Sequence, residues 1–379
     1  MIYLDNSATT IPDESVVASF NRVSNKYYAN PASIHSFGAT SEKLLVTARQ
    51  QAASLLQVDT DEIIFTSGGT EGNNMAIKGI ALQHQNRGKH IITTEIEHPA
   101  VYEACAGLEK LGFTITYLPV NENGVVSIDD VEKAIRKDTI LLSVMHVNNE
   151  IGSIQPIEEI GKIAQKYPKL FFHVDDVQGV GKVPLELEDS GIDLCTLSGH
   201  KIHGLKGTGL LYVKKGTTLF PLFHGGEQEM NIRSGTVNVA GNVALVKALR
   251  LIKEREAKGM DELETMKQYV FRELSQMKDV IINSPVNGAP HIINFSVPGV
   301  KPEVLIHMLG EENIFLSTKS ACSSKSKDES KVLAACGFSY ERTISGLRVS
   351  LSYKNTLEEM KRFIQILQKA ITQFKKALE

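Results

Sequence analysis

The sequence predicts an α/β fold in which a mostly parallel central sheet is covered by helices, with a smaller α+β region at its C-terminal end. Three observations predict it. From about residue 38 to 260, short β-branched or apolar runs alternate with amphipathic stretches, the pattern of βα units. Beyond them, the helical stretches Met260–Met277 and Leu357–Leu378 flank two strand-like runs, Ile292–Ser296 and Leu347–Leu351. And 379 residues exceed the size at which one hydrophobic core stops growing, so two domains are expected.

In chain order the strand candidates of the first region are Glu62–Thr66, His90–Thr94, Phe113–Leu118, Ile140–Met145, Leu170–Val174, Leu194–Leu197 and Gly209–Val213. Helices such as Glu42–Leu56, Asn73–Gln85 and Ile157–Tyr167 lie between or before them. Ser317–Lys331, rich in Ser and Lys with few apolar anchors, reads as a mobile loop, and it contains Cys322.

Composition narrows the function classes. Apolar residues make up 42% and charged residues 22%, and a net charge of -3 suggests neither a nucleic-acid nor a membrane surface. The start Met1-Ile2-Tyr3-Leu4-Asp5 lacks a signal-peptide layout and no stretch is long and apolar enough to span a bilayer, so the cytoplasm is the expected compartment. Four cysteines without C-x-x-C spacing argue against a disulfide framework or a metal site and leave room only for single-thiol chemistry.

Three motifs carry chemistry. Ser67-Gly68-Gly69-Thr70-Glu71 follows a strand and opens a helix, where free backbone N–H groups and the helix dipole favour a phosphate. Alone it fits a plain strand-to-helix connection equally well, and it has no P-loop Lys. Phe171–Gln178 is an apolar strand ending in carboxylates, and Asp175 there is suited to keep a pyridine nitrogen protonated; alone it is also a turn cap. Ser198-Gly199-His200-Lys201 follows another strand, and its lysine can form a Schiff base with a carbonyl cofactor. A phosphate loop, a ring carboxylate and a Schiff-base lysine in that order, each at a strand end, point together to pyridoxal 5'-phosphate on Lys201.

With these residues the chain closely resembles the cysteine desulfurases of the NifS/IscS type, within the PLP-dependent transferase (aminotransferase-like) fold. The resemblance covers nearly its whole length. It includes Tyr3–Thr10, Asn30–His35, Thr66–Glu71, Glu97-His98, His146–Gly152, Ser198–Lys201, Arg233–Thr236 and Ser320-Ala321-Cys322. It implies a large PLP-binding domain over 15–260 and a small domain over 1–14 and 261–379 that carries the catalytic-cysteine loop. It further implies that Lys201 holds the cofactor and moves the Cα proton of L-cysteine, and that His98 lies on the ring face and shuttles protons. Gln178 and Asn149 would bond the phenolic oxygen. Gly69, Thr70, Ser198 and His200 would hold the phosphate, with Thr236 reaching it from the other subunit of a homodimer. Arg348, with Asn149 and Asn30, would bind the substrate carboxylate.

Cys322 would take the substrate sulfur as a persulfide, release alanine, and pass the sulfur to a protein acceptor, either an iron–sulfur scaffold or a thiolation enzyme. Cys105, Cys195 and Cys336 read as packing residues. Three positions depart from the family pattern: Asp176, where a small apolar residue is common, Leu205, where proline is frequent, and Lys319, where glycine is usual. A second carboxylate beside Asp175 would raise one pKa of the pair if both pointed inward. The chain ends soon after its last predicted helix, which favours a dedicated acceptor such as a tRNA-thiolation enzyme over a cluster scaffold. The rival readings are a selenocysteine lyase or aminotransferase of the same fold, for which Cys322→Ser is the discriminating variant, a non-catalytic sulfur carrier, and a nucleotide-binding protein.

Overall fold

A computed structural model describes residues 1–318 and 329–376, without the side chains of residues 259 and 260. The chain opens with β1 (Ile2–Tyr3), α1 (Glu14–Lys26) and α2 (Ser36–Leu56). It then lays down β2 (Ile63–Thr66), α3 (Gly69–His84), β3 (His90–Thr94), α4 (Pro99–Glu109), β4 (Thr114–Leu118), α5 (Ile128–Ala134), β5 (Thr139–Met145), α6 (Ile157–Ala164), β6 (Phe171–Asp175), β7 (Leu194–Ser198) and β8 (Gly209–Val213). α7 (Val239–Ser275) leads to β9 (Ile281–Ile282), β10 (Ile292–Ser296), α8 (Pro302–Glu311), β11 (Ile314–Phe315), α9 (Lys331–Ala335), α10 (Tyr340–Ile344), β12 (Gly346–Ser350) and α11 (Leu357–Lys376).

The central sheet has the order β2-β8-β7-β6-β5-β3-β4, parallel except for β8, which runs against both neighbours. Its inner strands are continuous apolar runs because both faces are covered. Alternate residues therefore enter opposite cores: Ile64, Ile91, Leu141, Leu194 and Leu211 pack under α3 and α4, while Ile63, Ile92, Leu142, Cys195 and Leu210 join the core on the other face. Four strands end at one edge of the sheet, at Thr66, Met145, Asp175 and Ser198. Ligands of open α/β sheets bind at such an edge.

A second core gathers around the antiparallel sheet β12-β10-β9, the parallel pair β1-β11 and the buried faces of α8 and α11. The sequence predicts a helix from Met260, whereas α7 already begins at Val239, where Asn238 accepts from the Gly241 N–H at 2.9 Å. One helix thus serves two cores. Leu245, Ala248, Leu249 and Ile252 face the central sheet, and Leu263, Met266, Val270 and Leu274 face the second core. The charged run between them, Lys253–Lys258, has no continuous apolar face and masks the join in the sequence. No described helix is long and apolar enough to cross a membrane.

The turn from β2 to α3 depends on close backbone approach. Gly68 has φ +148°, and β8 passes so near it that a Cβ on Gly209 would lie 2.5 Å from the Gly68 Cα. Gly209→Ala is expected to push β8 off this turn and to cost roughly 1–3 kcal/mol, as read from a denaturant midpoint.

Candidate active site

The strand ends enclose a cavity of about 170 Å³ lined by Gly69, Thr70, Asn73, His98, Asn149, Asp175, Gln178, Ser198, His200, Lys201 and Arg348, together with Ser7, Ala8, Met145, Val147 and Val177. Ten of the residues expected from sequence therefore share one wall. Gly69 and Thr70 begin α3, whose first N–H groups have no intrahelical partner and face this space with the positive end of the helix dipole.

Asp175, the last residue of β6, is 5% exposed. Its Oδ1 accepts from the Val177 N–H at 3.1 Å and its Oδ2 from the Asn73 Nδ2 at 2.6 Å, which fixes the carboxylate plane. Lys201 closes the short 3₁₀ turn Gly199–Lys201 after β7. Its Nζ donates to the carbonyls of Ser7 and, at 2.9 Å, Ala8. Gln178 donates through Nε2 to the same Ser7 carbonyl at 3.0 Å.

His98 combines two roles. It caps α4, accepting the Ala100 N–H on Nδ1 at 3.1 Å, and it also lines the cavity. That bond leaves the ring proton on Nε2. Burial, aided by the positive charge of Lys201, holds its pKa below the usual histidine value against the pull of Asp175. His200 is likewise pushed down to about 4, first by burial and then by Lys201, and its Nδ1 lies 3.1 Å from Thr9 Oγ1. Both imidazoles are neutral at pH 7.

Arg348 is 1% exposed on β12. Its Nη1 donates to the Asn149 carbonyl at 2.8 Å and its Nη2 to Asp5 Oδ1 at 2.9 Å. Its Nε has no partner. Burial raises the Asp5 pKa, while Arg348 opposes the shift.

Three expected residues are not in this wall. Asn30 is exposed and accepts from the Ala32 N–H within its own turn. Thr236 is exposed beside a separate hollow shared with Ser67, Glu229 and Arg233. The segment bearing it is anchored by a bidentate pair between Arg49 and the buried Glu229, at 2.6 and 2.8 Å, and by Arg233 on Glu71 at 2.8 Å. The anchor holds three successive non-glycine residues, Glu229, Met230 and Asn231, at positive φ. Cys322 and Lys319 lie outside the described residues.

Asn73, Ser7 and Ala8 were not singled out in the sequence. An Asn in the first turns of a helix that opens at a strand end is the signal for the first; backbone carbonyls leave none for the others. Asp176 does not join Asp175 in the cavity. Its Oδ1 meets His146 Nδ1 at 2.6 Å on the other side of the strand end, and Gly179 leaves room for the pair, since a Cβ there would lie 2.1 Å from that oxygen. Cys105, Cys195 and Cys336 are buried, and burial raises all three thiol pKa values, those of Cys105 and Cys336 to about 12.

The sequence model of the family described as Aminotransferase class-V matches residues 2–363. The chain belongs to that family. Among the relatives of this class-V member, a protein from Dictyoglomus turgidum named cysteine desulfurase IscS is 45% identical over 98% of this chain and 94% of its own length. A cysteine desulfurase IscS from Methanosarcina thermophila is 43% identical over 97% of this chain and 91% of its own. A solved structure titled NifS-like protein superposes with a TM-score of 0.92 at 34% identity, covering 98% of this chain and 99% of that one. A structure of SspA in complex with cysteine superposes with a TM-score of 0.82 at 34% identity, covering 93% and 99%.

Next to His98, Glu97 is buried, and its Oε1 accepts from Thr94 Oγ1 at 2.8 Å and the Met145 N–H at 3.0 Å. Burial pushes its pKa from 4.5 up to about 8. The carboxyl is therefore neutral in the fold where the unfolded chain has already ionised it, so its contribution is complete below about pH 4.5 and is lost as pH rises towards 8. Glu97→Gln removes this loss. Its melting temperature should match wild type near the acidic end of that range and exceed it by roughly 2–5 °C above pH 8, as read by calorimetry.

Proposed function

We propose that the chain is a PLP-dependent cysteine desulfurase that converts L-cysteine to L-alanine and passes the sulfur to an acceptor protein. The observation that carries the reading is the convergence of the α3 N-terminus, Asp175, Lys201 and Arg348 on one cavity. The family and the names of the relatives support it.

The donor set fits this cofactor. Among the described residues, four that line the cavity keep a buried polar atom without a protein partner: Ser7 Oγ, Asn73 Oδ1, Gln178 Oε1 and Arg348 Nε. Such atoms are costly unless a ligand satisfies them. Gly69, Thr70, Ser198 and His200 would hold the phosphate, Asp175 the pyridine nitrogen, Gln178 and Asn149 the phenolic oxygen, and His98 the ring face. When bound, the cofactor supplies an electron sink for charge developing at the substrate Cα.

Lys201 would hold the cofactor covalently and would move the substrate Cα proton from a position fixed by the Ser7 and Ala8 carbonyls. Neutral His98, with its proton on Nε2, would donate a hydrogen bond from that nitrogen on the ring face. Arg348 would orient the substrate carboxylate with Asn149 and Asn30. Cys322 would attack the substrate sulfur: the C–S bond breaks, an S–S bond forms, and alanine departs. Thr236 would complete the phosphate site of a second copy, making the homodimer the working unit. We assign this enzyme to the cytoplasm, with a large domain over 15–260, a small domain over 1–14 and 261–379, and an iron–sulfur scaffold or a thiolation enzyme as the acceptor.

Alanine and sulfide release from L-cysteine, measured with reductant present, tests the reading. Wild type should release both. Cys322→Ala should still form a coloured adduct with L-cysteine but lose sulfide release by at least about 100-fold, and Lys201→Ala should lose both products. Full activity in Cys322→Ala would replace the persulfide reading with another PLP reaction.

A further inference from the structure

Behind the cavity lies a buried ammonium that the chemistry above leaves unused. Lys182 follows β6 on the turn where the Lys182 and Val183 N–H groups both donate to the Gly179 carbonyl. It is 3% exposed. Its Nζ donates to the backbone carbonyl of Lys201 at 3.1 Å, the one acceptor it reaches among the described residues, and no carboxylate lies within ion-pair distance of it there. A buried ammonium so sparsely satisfied is costly, and an apolar side chain would be cheaper for packing alone.

Its position matters because it takes the one carbonyl of the turn that belongs to Lys201 itself. The Gly199 carbonyl is used within the turn, by the N–H groups of Ile202 and Gly204. Thr10 takes the His200 carbonyl, with its N–H at 2.9 Å and its Oγ1 at 3.0 Å. Lys182 takes the Lys201 carbonyl. Lys201 is thus held at both ends, its amine by Ser7 and Ala8 and its backbone by Lys182.

We propose that Lys182 is a positioning residue for the Lys201 amine: its ammonium holds the Lys201 carbonyl and places a buried positive charge behind the reactive nitrogen, weakening that nitrogen's hold on a proton. The proposal rests on Lys201 being the cofactor lysine. The groups facing Lys182 are Lys201, Asp176, His200, His203 and His291. Burial and then Lys201 lower the Lys182 pKa to about 7, with Asp176 opposing, so the ammonium carries its charge below that pH and loses it above. Asp176 is shared with His146 at 2.6 Å and also feels Lys253, so it offsets the Lys182 charge without quenching it. His291 is buried, and burial holds its pKa well below the usual histidine value, so it stays neutral and adds no further positive charge.

The test is a pH titration of the visible absorption of the full-length holoenzyme, for wild type, Lys182→Met and Lys182→Gln, with Lys201→Ala as control. The band that disappears in Lys201→Ala reports the nitrogen of Lys201. Its protonation midpoint should rise by about one pH unit in both Lys182 variants, because a like charge has been removed. Gln keeps a donor, so a shift in Gln assigns the effect to charge. If Met does not fold, as judged by circular dichroism, Gln decides. An unchanged midpoint in a folded variant overturns the proposal, as does the failure of both variants to fold, which would make Lys182 purely structural. A wild type with no Lys201-dependent band would instead overturn the cofactor reading, and this inference with it.

Discussion

The geometry of the site depends on residues 5–10 lying between two cores. Leu4 is buried in the second core, and Asn6 and Ser7 are tied to Ser350 on β12, Asn6 Nδ2 donating to its carbonyl at 2.9 Å and the Ser7 N–H to its Oγ at 2.8 Å. Asp5 reaches Arg348 from the same strip. A few residues on, Ser7 and Ala8 give their carbonyls to Lys201, and Thr10 binds the turn that carries it. The lysine of the central sheet and the arginine of the smaller sheet are set relative to each other through this short strip. Two of its acceptors are main-chain atoms, which no side-chain substitution removes; only displacement of the strip does.

The electrostatics follow from burial more than from pairing. Glu97 is kept protonated, and His98 and His200 are kept neutral, by desolvation before any partner contributes. Asp175 is oriented by two N–H donors that meet its oxygens in a fixed plane. The two imidazoles therefore add no charge beside the oriented carboxylate at pH 7.

Much of this was legible in the sequence where chemistry is tied to strand ends. The runs ending at Thr66, Asp175 and Ser198 each led into a motif; that β6 and β7 lie side by side with β2 beyond β8 is a matter of sheet order that chain order does not reveal. The resemblance to desulfurases supplied Gln178, Asn149 and Arg348, whose residue types say little alone. What was hidden has physical reasons. Contacts to the Ser7 and Ala8 carbonyls have no residue signature. The start of α7 was obscured because its apolar stripe changes partner across a charged run. Asp176 looked like a rival to Asp175 because sequence does not show which side of a strand end a side chain takes; His146, thirty residues away, absorbs it.

The continuity of α7 also bears on how the protein comes apart. Its first turns complete one core and its last turns another, so melting either core strips half of a helix whose remaining half is too short to hold well unaided. Neither half of the molecule can open without raising the free energy of the other. A single cooperative loss of structure follows, rather than two steps, and a protease that nicked the middle of this helix would uncouple what is otherwise one unfolding unit.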